Sequence, residues 1–494
     1  MIFARPTAVA AVLAIAAGMT ACASTPSEDE ESTLRIGVAA ASISFDRGNL
    51  PANQYTAAVY DSLFFTPDGI GLPGDGGAEP WLAEEWSYSE GNTVLTIDLR
   101  DDVLFTDGTP LDAAAVKANI DDAVGLGFIP NIEEVTVTDE NTLIVHQSRA
   151  SALTFVAIGD RPIVNPAALA DTEQLAIEPA GSGPYLLDDY VTDSSYAFVR
   201  NPDYWNPEAF PFDRIEMTLL PDLTARVNAL KSGQIDVAVI DTATAAEVEA
   251  AGFSLATGSG LWAGLYFGDR RGEINPAIGN VKVRQALSLA MDRVGFNDAS
   301  EGGYGDPSNQ IGVPGQAGFF IPERADEYAY DLEAARELMA EAGYADGFDI
   351  DIPETAAFAK YIPYYKQTFE DLGVRVNWIQ LPADDWITDY LSGKFALLPF
   401  ADFTAGVVQQ AEIDGVWNPW KNTDPETEEL LEVYNSGSDE EALEALTSLN
   451  EKIIDEAWFA VLSHSPTVVA YADGFEVKLN GITKLPLQNI TPAE

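Results

Sequence analysis

The chain has 494 residues, and its 26 Lys and Arg stand against 79 Asp and Glu, a formal charge of −53, with two histidines and one cysteine. Nucleic-acid binding and attachment through a polybasic patch both need clustered Lys and Arg, so this balance excludes them. A single thiol excludes an internal disulfide, so the fold rests on packing, and the length is enough for two or three domain cores.

The first stretch, MIFARPTAVAAVLAIAAGMTACASTPSEDEEST, reads as a secretion signal: Arg5, then an apolar run from Ala8 to Met19 too short to span a membrane. Met19-Thr20-Ala21-Cys22 resembles the lipobox of bacterial lipoproteins, in which the cysteine is acylated and becomes the first residue. Residues 1–21 are therefore expected to be a signal peptide, Cys22 the lipidation site, and 22–32 a polar tether.

Farther along, Tyr55, Val59 and Leu63 lie four apart and predict a helix over 52–65. Leu95, Ile97 and Leu99 alternate with polar residues after the turn Glu90-Gly91-Asn92, so 86–99 reads as a hairpin. Asp107-Gly108 marks another turn, and Asp112 caps a helix carrying Val116 and Ile120. Asp331 caps a second helix, with a stripe of Leu332, Ala335, Leu338, Met339 and Ala342 and with Gly343 at its end. Arg375–Leu381 reads as a strand. The Gly- and Pro-rich stretches 69–80 and 301–318 read as surface loops. Strands alternating with helices predict an α/β protein with partly parallel sheets.

Five segments together resemble the bacterial extracellular solute-binding proteins of family 5, the oligopeptide-, dipeptide- and nickel-binding group of ABC importers. They are AEPWLAEEWSYSEGNTVLTIDLRDDVLFTDGTPLDAAAVKANI, PAGSGPYLLDDY with RNPDYW, ALKSGQIDVA, NVKVRQALSLAMDR and YDLEAARELMAEAGYADGF, in the family's order. The resemblance implies a two-lobed type II periplasmic-binding-protein-like fold with a hinge and an interlobe cleft. One lobe would hold 33–261 plus 465–494 and the other 262–464, so the chain would cross twice. It also implies a receptor that hands a solute to ABC permease subunits, without enzymatic activity; with the Met19–Cys22 motif, a lipid-anchored monomer is expected. No cofactor or protein-bound metal is expected with only two histidines, and a nickel taken up already chelated stays an alternative ligand. Gly181, Gly183 and Pro184 would shape a turn, and Arg284 and Asp292 would make capping or interlobe contacts.

A catalytic reading finds little support in the residues. His146 lies in an apparent strand, where an edge or partly buried place is expected, and His464 near the second crossing. No G-x-S-x-G elbow, H-E-x-x-H, C-x-x-C or EF-hand loop is present, and Asp424-Pro425-Glu426 reads as a helix cap. A secreted glycosidase remains the alternative of a different class, because a carboxylate pair cannot be found by counting acids.

In the family's peptide binders an aspartate takes the ligand's ammonium, and the resemblance places that role on Asp402 in LLPFADFTAG. Here the family's Trp falls on Pro399 and its Asp-Pro on Ala405-Gly406. Trp262 and Tyr266, four apart in one expected strand, share a face. With Tyr304, Trp386, Trp417, Trp420 and His464 they are the remaining ligand-binding candidates. Aromatic faces suit peptide side chains, sugars and organic cations alike, so an oligosaccharide remains an alternative to a short peptide.

Overall fold

The computed structural model describes residues 32–40, 44–46, 54–65, 78–129, 131–382, 386–404, 406–479 and 486–493. Cys22, the signal, most of the tether and most of the 69–80 stretch lie outside them.

A nine-stranded mixed sheet runs through the molecule. Its order is Leu397–Asp402, Ser254–Phe267, Phe459–Tyr471, Val237–Ile240, Thr33–Val38, Arg214–Leu219, Ser195–Arg200 and Tyr185–Val191, and Asp306–Pro307 adds to Phe459–Tyr471. Thr33–Val38 is parallel to both its neighbours and the other pairings are antiparallel. A separate antiparallel sheet of four strands, with the helix Ala113–Gly125, carries the expected hairpin: Ala83–Ser89 pairs with Val94–Leu99. Its turn sets Glu90, Gly91 and Asn92 all at positive φ.

Two apolar regions result. One core is built from residues between 262 and 462 together with Ala152. Three others draw on residues between 34 and 248 and between 468 and 490. The strands Ser254–Phe267 and Phe459–Tyr471 join the two regions. Trp262–Phe267 and Phe459–Leu462 lie in the first core, whereas Val468 and Ala470 lie among the others. These strands pair antiparallel along most of their length, with register shifts between Ser259 and Trp262 and between Ala263 and Gly264. A bulge bends a strand and increases its twist, so the interruption falls where the chain passes between regions.

The regions also touch away from these strands, through mutual helix capping. The Asn92 side chain donates to the carbonyls of Asn435 (3.2 Å) and Gly437 (2.8 Å) at the end of helix Pro425–Ser436. Asn435 Oδ1 in turn accepts from the Ala152 N–H at 3.1 Å, at the start of helix Ala152–Gly159, whose own N-cap Ser151 makes no side-chain cap. Arg149 and Glu412 pair beside them at 3.6 Å.

Asp112, Asp331 and Asp424 cap their helices as expected, with Pro425 in the first turn, and Gly343 follows its helix at positive φ. Other expectations are corrected. The helix predicted over 52–65 spans only Gln54–Val59, and Phe64–Phe65 is a strand against Glu79–Pro80. The chain is drawn off its helical path by Asp61, a fully buried carboxylate that accepts from Trp81 Nε1, Ser182 Oγ and Tyr204 Oη, each at 2.8 Å. The supposed surface loop 301–318 buries Glu301, Gln310 and Ile311. It can do so because Gln310 supplies the backbone partners of Ile321, donating to its carbonyl and accepting from its N–H. His146 stands on an interior strand of the small sheet and not an edge, and is partly buried, the other place expected for it. Gly181 and Gly183 are required by close approach: a Cβ at either would overlap the Val59–Tyr60 segment. Arg284 caps carbonyls at Glu456 and Ala457, and Asp292 caps the helix Arg293–Ser300.

Candidate functional site

Three strands and a short fourth bring chemistry to the strand junction. Asp402 is registered opposite Trp262, Trp262 opposite His464, and His464 opposite Asp306. Directly opposed residues of antiparallel strands share a face, so these four side chains form one transverse row beside the bulge. Its outer end, Asp306, is exposed and accepts a hydrogen bond from Ser259 Oγ.

Below the row lies an aromatic cluster. The Trp262 ring centroid is 5.7 Å from Phe400 and 4.8 Å from Phe459. Tyr266 packs on Phe400, Phe459 and Trp420, and donates to the Trp417 carbonyl at 3.0 Å. Trp420 donates to the Phe395 carbonyl at 2.9 Å, and Trp417 lies edge-on to Phe400. Trp262 and Tyr266 are completely buried in the lobe core and Trp420 nearly so, whereas Trp417 is partly exposed. The apolar surface that reaches solvent nearby is contributed instead by Phe403, Ile413 and Val416.

Asp402 ends its strand half-buried, accepting from its neighbour's N–H (Phe403, 2.8 Å) and from Gln410 Nε2 (2.8 Å). Burial pushes its carboxyl up to about 7, against these two hydrogen bonds, and no Lys or Arg among the described residues pairs with it. Gly406 makes the geometry possible, since a Cβ there would overlap the Asp402 carboxylate. The tight turn then starts helix Gly406–Ala411, which returns Gln410 to Asp402.

His464 is almost fully buried, and burial lowers its pKa, so the imidazole is neutral near pH 7. Its Nε2 lies 3.0 Å from the Ile311 carbonyl, which also accepts from Thr404 Oγ1 at 3.2 Å. Tyr304 stands apart from the aromatic cluster, two residues before Asp306, donating to Glu249 at 2.9 Å. Trp386 opens the helix Trp386–Leu391. No cluster of three or more His, Cys, Asp or Glu suited to a metal occurs among the described residues.

The structure thus brings Asp402, Trp262, His464, Tyr266, Trp417 and Trp420 into one neighbourhood and leaves Tyr304 at its rim. Sequence reasoning missed Gln410, Phe400 and Phe459. Gln410 gave no signal, because only the turn at Gly406 carries it back to Asp402. Phe400 and Phe459 were findable as strand residues two before Asp402 and opposite Tyr266, once the register is known.

The model for "Bacterial extracellular solute-binding proteins, family 5 Middle" matches residues 77–438. The chain belongs to this family. Membership places it among solute-binding proteins rather than enzymes. Among family relatives, heme-binding protein A of Haemophilus influenzae is 28% identical over 308 residues, 55% of each chain. Glutathione-binding protein GsiB of Escherichia coli K12 is 25% identical over 349 residues, 67% of this chain and 66% of the relative. The chain thus spans between about half and two thirds of the length of these relatives in the matched region. In fold, the protein is similar to the periplasmic binding protein DppA of Helicobacter pylori in complex with peptide STSA, with a TM-score of 0.74 and 18% identity, covering 94% of this chain and 99% of the other. No helix among the described residues of this solute-binding protein is long and apolar enough to cross a membrane.

Proposed function

We propose that this protein is the lipid-anchored receptor of an ABC importer, and that it captures short peptides in a cleft between lobes 33–261 plus 465–494 and 262–464. The observation that carries the ligand reading is Asp402: a carboxylate drawn out of water at the strand junction, without a cationic partner among the described residues. Such a group is costly until a cation replaces the lost water, and a ligand's ammonium is the partner that the family resemblance assigns to it. The exposed Phe403, Ile413 and Val416 beside it offer apolar surface to a peptide side chain. Glutathione, named for one relative, is itself a modified tripeptide. The lipid anchor rests on the Met19–Cys22 motif, and export on the apolar run before it. Transfer to permease subunits follows from the family's role.

The test is a cycle of two proteins and two ligands by calorimetry: the parent and Asp402→Asn, each with a captured short peptide and its N-acetylated form. Losing the charge pair on either side should cost about 30-fold or more in affinity, and the two losses should not add. Equal binding of the free-amine peptide by both proteins would make Asp402 a loop carboxylate. A neutral oligosaccharide ligand would respond to neither change.

A further inference from the structure

Away from the strand junction, the two lobes meet along a second seam. Helix Ala152–Gly159 belongs by position to the lobe 33–261, and its Phe155 and Ile158 lie in a core of that lobe. Its first residue does not. Ala152 is 2% exposed and, among the described residues, is the one member of the 262–462 core that comes from outside that range. Leu153 packs against the same core. One short helix is thus shared between the cores of both lobes.

The helix ends at this seam are completed across it. Ser151 makes no side-chain cap, and the Ala152 N–H donates instead to Asn435 Oδ1 at 3.1 Å. In the other direction, the Asn92 amide donates to the Asn435 and Gly437 carbonyls, at 3.2 and 2.8 Å, where helix Pro425–Ser436 ends. Helix ends carry backbone groups that need partners, and here each lobe holds the partner that a helix of the other lacks. Asn92 is aimed by its hairpin turn, at a φ of 60° that Asn tolerates well, and its own carbonyl accepts from Gln147 Nε2 at 3.2 Å. The Arg149–Glu412 pair adds little, because its charges are 3.6 Å apart and Arg149 is 56% exposed, so water screens it.

The seam is also able to part. Gln147 Oε1 and the Tyr88 hydroxyl, near Tyr434 of the other lobe, have no hydrogen-bond partner. Both regain water when the lobes separate, which offsets part of the loss of the three interlobe bonds. All three bonds run between protein atoms, so none needs a ligand.

We propose that Asn92, Asn435 and Ala152 form a latch between the lobes, which holds a fraction of the molecules closed before any ligand arrives. A ligand then has less of the closure to drive, because part of the binding-competent form already exists. The inference rests on the two-lobed cleft reading above and is independent of whether the captured solute is a peptide.

The test therefore contains no ligand. Cys22 is the one thiol of the chain, so Cys22→Ser with Glu85→Cys and Glu432→Cys, both exposed positions, carries one spin label on each lobe. Double electron–electron resonance on this labelled parent should show a short and a long spacing. Asn92→Gly suits the positive φ of the turn and deletes only the amide. Asn435→Ala deletes the acceptor of the Ala152 N–H. Each should lower the ratio of short to long spacing about five-fold. A labelled parent with the long spacing alone overturns the latch, and so does one distribution common to the parent and both variants. Failure of the Asp402 calorimetry would remove the peptide reading and leave this result unchanged.

Discussion

Asp402 is placed at a cost to the fold. Its carboxyl is raised by burial from an ordinary 3.8 to about 7. The folded state therefore holds the proton more tightly than the unfolded chain, so this group's contribution to stability falls as pH rises from about 4 to 7. Asp402→Asn should accordingly stabilise the empty protein at pH 8, by on the order of 2 kcal/mol after allowing for partial exposure, and leave it unchanged near pH 3. Urea unfolding at the two pH values reads this directly. Binding of a cationic ligand to the parent should weaken below pH 7, approaching ten-fold per unit, as the carboxyl takes up its proton. A pH-independent affinity between 5 and 7 would contradict the assignment. Asp61 is the contrasting case, a buried carboxylate satisfied by three donors within one region. Asp61→Ala should cost about 3 kcal/mol in unfolding experiments, because it strands all three. Of the strand residues gathered here, Trp262, Tyr266, Asp402 and His464 were legible from spacing and resemblance, whereas Phe400 and Phe459 needed the register. Gln410 and the state of His464 were not legible, because both depend on where a distant carbonyl or carboxylate arrives in space.

Among the elements, the caps and the hairpin were readable because their signals are local: Asp112, Asp331 and Asp424 each accept from an N–H within three residues. The Gln54–Val59 helix was over-extended because its end is decided by Trp81, Ser182 and Tyr204, which lie far along the chain. The 301–318 loop was misplaced for a similar reason: turn residues announce bends but not whether the bend is covered. The paired caps of Asn92 and Asn435 are likewise invisible in sequence, since each serves a helix of the other region. Asn92→Ala removes two bonds to the end of the Pro425–Ser436 helix. It should lower stability by about 1 kcal/mol and peptide affinity about five-fold, if closure assembles these bonds. Unfolding and calorimetry on the same preparation separate the two effects, and unaltered affinity would show that the contact persists when the cleft is open. Gly183→Ala should cost more than about 2 kcal/mol, because its Cβ meets Val59–Tyr60 backbone that cannot step aside.

At the scale of the molecule, two strands carry the covalent path between the two core regions, and both are irregular where they cross. That arrangement permits rotation of one region against the other with little loss of core packing. The charge of −53 leaves a membrane surface nothing to attract, so in the proposed reading attachment rests on the lipid alone. Cys22→Ala should release the protein from the membrane fraction, and retention of that variant there would refute the anchor. The central claim is that the two lobes close on a captured peptide. Small-angle X-ray scattering of the mature chain, with and without a saturating peptide identified by native mass spectrometry, tests it most directly. The radius of gyration should fall on addition of the peptide to the parent and stay fixed for Asp402→Asn at the same concentration. A peptide that binds the parent at saturation and leaves its radius unchanged would contradict the account.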